Sequence, residues 1–273
     1  MHDIKSIGVI GFTGMVGSTV HRYFKEQKQY EVFGYSRKNQ IEQKETLSSD
    51  CIFVCLPTPF DWHKNVFEIG NVEAVIHEIT GSRIVVIKST VPIGTTERIQ
   101  SEHPILKILF NPEFLSEVTA YGDFVNPDRS IIGFTKESFT ISERIMRLLP
   151  LAPYEIICPS KEAEFLKYIH NLHGVLEVVE ANHYYDVCKK EGLDYDRIKK
   201  AMVTSKYMGK HYKEIFHKGY RGIGGKCFPK DLNAYLSWCR EKGIDTTLFS
   251  AVKQANIDIL SSQNLTEKEA ESK

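Results

Sequence analysis

The stretch Ser6-Ile7-Gly8-Val9-Ile10-Gly11-Phe12-Thr13-Gly14-Met15-Val16-Gly17 decides the fold. A short apolar strand runs into three evenly spaced glycines, and a helical pattern follows. Glycines at such a junction let backbone N–H groups approach a pyrophosphate at a helix N-terminus, where open amides and the helix dipole both favour an anion. The Gly-x-x-Gly-x-x-Gly spacing is one residue longer than the usual dinucleotide fingerprint, and three glycines also suit a purely steric turn. The strand before and the helix after favour a dinucleotide, with Gly11, Gly14, Val16 and Gly17 as its expected contacts.

Downstream, β-branched runs keep alternating with helical patterns. Candidate strands cover 6–10, 31–35, 51–56, 84–88, 105–110, 130–134 and 154–158, the arrangement that gives a parallel sheet covered on both faces. From Lys161 the texture changes. Phe165, Leu166, Ile169, Leu172, Leu176, Val179 and Val187 follow a three-and-four spacing over about 30 residues, roughly 45 Å of helix. A helix that long is expected to bridge two domains, with Gly192 as its left-handed stop and Asp194 capping a short helix through Val203. Helices over 231–242 and 246–260 follow, and the last residues read as a fraying polar tail. The expected fold is α/β. An N-terminal Rossmann-type parallel sheet (1–158) is followed by a long connecting helix and a small all-helical domain (159–260), then the tail (261–273).

Thirty-five Lys and Arg balance 35 Asp and Glu, so the overall field gives no reason to expect nucleic acid or a membrane as partner, and an anionic ligand must be held locally. Hydrophobic residues make up 42%, enough for a sizeable core, yet no apolar run approaches the about 20 residues that span a bilayer. No secretory pattern is visible. Six cysteines without a Cys-x-x-Cys pair suggest reduced thiols and a cytoplasmic setting.

Strand two would normally end in a carboxylate that accepts hydrogen bonds from the adenosine ribose, but it reads Gly34-Tyr35-Ser36-Arg37-Lys38. A hydroxyl followed by two cations suits a ribose 2′-phosphate, which sets NADP beside NAD; a solvated basic loop explains the same residues.

The segment Gly222-Ile223-Gly224-Gly225-Lys226-Cys227-Phe228-Pro229-Lys230-Asp231 puts a thiol just before a helix start. Open N–H groups, the dipole and Lys230 would all favour a thiolate at Cys227. Cys51, Cys55, Cys188 and Cys239 read as buried apolar thiols. On the long helix Lys167 and Asn171 share a face, although a solvated face explains such a pair as readily. His170 and His173 lack a third ligand at metal spacing, so no metal is expected.

Five motifs then occur in order: Phe53-Val54-Cys55-Leu56-Pro57-Thr58-Pro59, Val86-Ile87-Lys88-Ser89-Thr90-Val91-Pro92-Ile93-Gly94-Thr95-Thr96, Asn111-Pro112-Glu113-Phe114-Leu115-Ser116-Glu117, Glu164-Phe165-Leu166-Lys167-Tyr168-Ile169-His170-Asn171 and Gly224 to Asp231. Together they resemble the motifs of UDP-glucose 6-dehydrogenase and its nucleotide-sugar dehydrogenase relatives. The resemblance implies Cys227 as nucleophile, Lys167 and Asn171 as oxyanion stabilisers, and Asp231 with Thr90 and a water as the proton-handling group. Glu113 and Glu117 would order that water, with Glu117 also facing the nicotinamide. Phe114, Leu115 and the backbone around Gly224 would line the sugar site, and Thr58 and Lys230 would touch the cofactor. It further implies NAD, a nucleotide-sugar substrate, a homodimer and a place in polysaccharide biosynthesis.

The sequence departs from that pattern in three places. The α/β domain that usually follows the helical middle is not in this chain. Lys206 or Tyr207 stands where an arginine usually reaches the neighbouring subunit's substrate, and the corner at Ser36 lacks its carboxylate. Two readings follow: oxidation of UDP-glucose to UDP-glucuronate, or a catalytically weak nucleotide-binding subunit completed by a partner chain. A hydroxyacid dehydrogenase on the same fold would use Lys167 and Asn171 but has no need of the Cys227 segment.

Overall fold

The computed structural model describes residues 3–37, 39–62, 64 and 66–272. The elements in chain order are β1 (Ser6–Ile10), α1 (Met15–Glu26), β2 (Glu31–Tyr35), α2 (Gln43–Ser48), β3 (Cys51–Val54), the short β4 (Phe60–Asp61) and β5 (Val66–Phe67), α3 (Gly70–His77), β6 (Ile84–Ile87), α4 (Thr95–Glu102), β7 (Lys107–Phe110), α5 (Ala120–Val125), β8 (Ser130–Phe134), α6 (Ser142–Met146) and β9 (Glu155–Pro159). Then come α7 (Ser160–Glu191), α8 (Tyr195–Met202), α9 (Phe228–Glu241), α10 (Thr247–Ser261) and α11 (Glu267–Ser272). The described residues fall into two compact units, one within Met1–Asp61 and Phe67–Lys167, the other within Trp62–Val66 and Tyr168–Lys273.

The first unit is built on a seven-stranded sheet in the order β2-β1-β3-β6-β7-β8-β9. Strands with near-continuous apolar runs must be covered on both faces, because successive side chains point opposite ways. Val9, Phe53, Val86, Leu109 and Ile132 pack on one face with Val20 and Phe24 of α1. Ile52, Val54, Val85, Ile87, Ile108 and Phe110 pack on the other with Val72, Val75 and Ile76 of α3 and Ile99 of α4. The chain winds outward from β1 in both directions, so the switch point, and the crevice where such sheets bind ligands, lies beyond the carboxyl ends of β1 and β3.

The sheet differs from the all-parallel expectation at one pairing: β8 runs antiparallel to β7. Between them the chain makes only the six-residue α5 and no crossover helix, so it turns back from the carboxyl end of β7. The segment from Asn111 to Glu117 thereby stays at the ligand-binding edge. The start of α7 belongs to this unit too. Gly133 leaves room for the close approach of Ser160 and Ala163, and the buried Glu164 carboxylate accepts from the N–H groups of Gly94 (2.5 Å) and Thr96 (2.8 Å) and from the Thr96 hydroxyl (2.6 Å). Glu164 thus caps α4, whose own N-cap, Gly94, has no side chain for the task.

In the second unit Leu172, Val175 and Val179 of α7 are buried, and Gly174 leaves space for the Phe228 ring. Asp194 caps α8 by accepting from Arg197 N–H at 3.0 Å. The terminal residues correct the expectation of a fraying tail. Thr266 and Glu269 exchange bonds as a capping box that starts α11, and Ala270 is fully buried beside Tyr220, Leu260 and Leu265. The Ala270 carbonyl accepts from Gly225 N–H (2.9 Å) and from the Tyr220 hydroxyl (3.2 Å). Among the described residues no helix is long and apolar enough to cross a membrane.

Candidate active site

In the first unit the glycine turn follows β1 as expected, but its glycines differ in what requires them. Gly11 has φ +83°, and a Cβ there would strike the Cys55 carbonyl; a Cβ on Gly17 would strike the Gly11 carbonyl. Gly11 is required by its left-handed conformation and the chain just past β3, and Gly17 by the close approach of α1 to the turn. Gly14 is exposed, has an ordinary φ of −84°, and its Cβ would find nothing closer than 3.4 Å. The fold does not need a glycine at that position, so the bare backbone suits the close approach of a ligand. No side chain caps α1 and no acidic residue stands in its first turn, which leaves the helix start, including the half-buried Val16, suited to a pyrophosphate.

Beyond β3 and β6, the buried Thr58 hydroxyl donates to the Thr90 carbonyl at 2.8 Å, tying two of the expected residues together. At the end of β7, Glu113 meets Lys167. The Lys167 ammonium donates to the carboxylate (2.8 Å) and to the carbonyl (2.7 Å) of Glu113, and the other carboxylate oxygen accepts from Leu115 N–H (2.9 Å). Burial would raise the Glu113 pKa, but the Lys167 charge and hydrogen bond, with the Leu115 amide and Lys88, hold it below the usual carboxylate range. Phe114 and Leu115 are half-buried, and Phe114 stacks under the Arg129 guanidinium at 4.2 Å; Glu117 is exposed.

At the β2 corner Ser36 is buried, and its hydroxyl accepts from Asn39 N–H at 3.1 Å. Arg37 is exposed, and Lys38 lies outside the described residues. Glu42 supplies a carboxylate that the local sequence does not reveal: it accepts from Gly34 N–H at 2.8 Å, closing an otherwise open edge of the sheet two residues before Ser36.

In the second unit Cys227 is the N-cap of α9, with Pro229 in the first turn. Of the six cysteines it alone is exposed. Burial pushes Cys55 up to about 12 and Cys158 to about 11, so those thiols stay protonated. Asp231, in the first turn of α9, is 1% exposed; it accepts from the Asn171 amide and from the Lys230 ammonium at 2.5 Å. The unit therefore brings Asn171, Lys230 and Asp231 together one turn into the helix that Cys227 opens. Gly224 is half-buried, with the Tyr220 hydroxyl and the Ala270 carbonyl where a side chain would stand.

Residues 24–149 match the UDP-glucose/GDP-mannose dehydrogenase family, NAD binding domain, and residues 161–258 match the central domain of the same family. The UDP-glucose 6-dehydrogenase of Pseudomonas aeruginosa is 30% identical over 224 residues, covering 76% of this chain and 48% of that protein. That of Campylobacter jejuni is 31% identical over 214 residues, covering 77% and 53%. A UDP-glucose dehydrogenase from the archaeon Pyrobaculum islandicum superposes with a TM-score of 0.75 at 25% identity, over 96% of this chain and 72% of that chain. The chain spans about half the length of the curated relatives it matches. NAD is accordingly the cofactor of the first unit. Two successive domain matches, one over the sheet and one over the helices, make this chain a member of the UDP-glucose/GDP-mannose dehydrogenase family.

Proposed function

We propose that the protein oxidises the 6-hydroxyl of UDP-glucose to the carboxylate of UDP-glucuronate, using two NAD. The observation that carries this reading is the exposed thiol of Cys227 at the start of α9, with Asn171, Lys230 and Asp231 grouped beside the first turn of that helix. NAD, when bound, accepts a hydride in each of the two oxidations, and the bare backbone at Gly14 with the start of α1 would hold its pyrophosphate.

An aldehyde has no hydride to give until a nucleophile adds to it. Cys227 would add to form a thiohemiacetal, and oxidation of that adduct leaves a thioester for water to cleave. Lys167 and Asn171 would donate to the successive oxyanions, and Asp231 with Thr90 would handle the protons of the alcohol and the water. Glu113 aims Lys167 by accepting from its ammonium, while Glu117, Phe114, Leu115 and the backbone at Gly224 would contact substrate or water. The deciding assay follows reduced-nicotinamide absorbance with UDP-glucose and NAD. The expected yield is two NADH per sugar; binding of both ligands without NADH would overturn the reading in favour of a binding subunit.

NADH is expected to bind in preference to NADPH, because the family match over the first unit is to an NAD binding domain. A charge-assisted bond from Arg37 to the 2′-phosphate of NADPH would be worth about 1.5 to 3 kcal/mol, one to two powers of ten. Because Arg37 is exposed, Arg37→Ala is expected to change the ratio of the two affinities less than about threefold. A tenfold loss confined to NADPH in a fluorescence titration would show instead that Arg37 reads the phosphate.

We also propose a homodimer through α7, on which Phe165, Ile169 and Val187 remain 39–45% exposed despite their apolar character. Light scattering at micromolar concentration is expected to give twice the 31.3 kDa protomer mass, and a monomeric value would refute the dimer.

A further inference from the structure

Lys88 is a charged side chain that none of these steps uses. It stands just past β6, directly before Ser89 and Thr90, and is only 4% exposed. Its ammonium donates to the Asn111 side-chain carbonyl at 2.6 Å and reaches the Asn111 backbone carbonyl at 3.5 Å, with the Phe124 ring centre 5.5 Å away. Its bonds go to neutral oxygens, an expensive arrangement for a buried charge, and an apolar side chain of similar length would fill the place more cheaply.

The partner of Lys88 is locked on every side. Asn111 donates through its amide to the Ile131 carbonyl (2.8 Å) and through its backbone N–H to the Ile87 carbonyl (2.8 Å). Two residues further on, Glu113 binds Lys167 through both carboxylate and carbonyl. One buried cluster thus holds two ammonium groups and one carboxylate, and Lys88 is bonded into it through Asn111.

We propose that Lys88 is a positioning residue for the pair of Lys167 and Glu113: through Asn111 it fixes the turn over 111–113 from which Glu113 meets Lys167. This rests on the function proposed above. The groups that face Lys88 are Cys55 after β3, Asn111 and Glu113 after β7, Phe124 of α5 and Lys167 of α7. Burial pushes Lys88 down to about 8; Cys55 and Glu113 pull upward, and Lys167 pushes further down. The Lys88 charge in turn adds the smallest of the pulls that hold Glu113 low, after Lys167 and the Leu115 amide.

The test compares the parent with Lys88→Met and Lys88→Arg, reading kcat and KM against pH and, without turnover, the titration of Glu113 by carboxyl-labelled glutamate NMR. Lys88→Met is expected to lower kcat about 100-fold through misplacement of the pair and to leave KM for NAD unchanged. Lys88→Arg, which keeps a charged donor toward Asn111, should restore most of kcat. In the NMR titration Glu113 must shift up in Lys88→Met and stay low in Lys88→Arg. An unchanged Glu113 titration in Lys88→Met overturns the inference whether or not the parent turns over. Absence of NADH from the parent overturns only the proposed function.

Discussion

Cys227→Ser is expected to bind the sugar nucleotide as the parent does and to release no carboxylate. A serine hydroxyl at the same helix start ionises far less readily than a thiol and makes a poor leaving group, so the chemistry stalls at or before a trapped aldehyde or ester. Removing a nucleophile of this kind costs on the order of 10⁴-fold or more in turnover. Because Cys227 is exposed and its side chain does not cap α9, the substitution should leave the fold untouched, so the effect separates cleanly from stability. The measurement is the NADH yield per sugar at completion, with mass spectrometry of the protein. Two NADH per sugar at the parent's rate would remove Cys227 from the mechanism.

Lys167→Met should damage both stability and activity. It leaves the Glu113 carboxylate buried without its cation, and breaking one side of a buried pair typically costs about 3 to 5 kcal/mol. For a chain of this size that lowers Tm by roughly 10 °C. The pH dependence has a definite sign. The folded pKa of Glu113 lies below its unfolded value, so the pair stabilises the parent above the ordinary carboxylate range, and that contribution fades as pH falls through the lowered value. The gap between parent and variant should therefore be widest near pH 7 and close only below the ordinary carboxylate range, as pH falls toward the lowered value. In turnover, losing one oxyanion donor adds about a 100- to 1,000-fold loss. Equal denaturant midpoints at pH 7 would show that the pair contributes nothing to the fold.

The sheet was readable because its strands are short apolar runs between turn residues, and a strand buried on both faces tolerates little else. All seven expected strands are present, within two residues at either end. The direction of β8 was not readable, since pairing direction depends on where the connection runs rather than on the strand's own composition. The α9 helix starts at Phe228, one residue ahead of the expected start between Pro229 and Asp231, because proline fits the first turn of a helix. The signal for α11 was available in Thr266 and Glu269, a capping pair masked by the polarity around it. Lys167 and Asn171 were legible as neighbours on a helix. That Glu113 and Asp231, 54 and 60 residues away, are their hydrogen-bond partners was not, although the resemblance had named all four, because spacing in one element says nothing about what packs against it.

The Ala270 carbonyl ties α11 to the loop that leads into Cys227, and α11 lies beyond residue 258, where the family match ends. A boundary drawn by kinship therefore cuts through a unit of packing. A chain trimmed at that boundary would keep every residue assigned to the chemistry, yet the Gly225 amide and the Tyr220 hydroxyl would lose their acceptor. For anyone cutting, tagging or grafting this protein, the segment that looks most dispensable is the one that steadies the approach to the thiol.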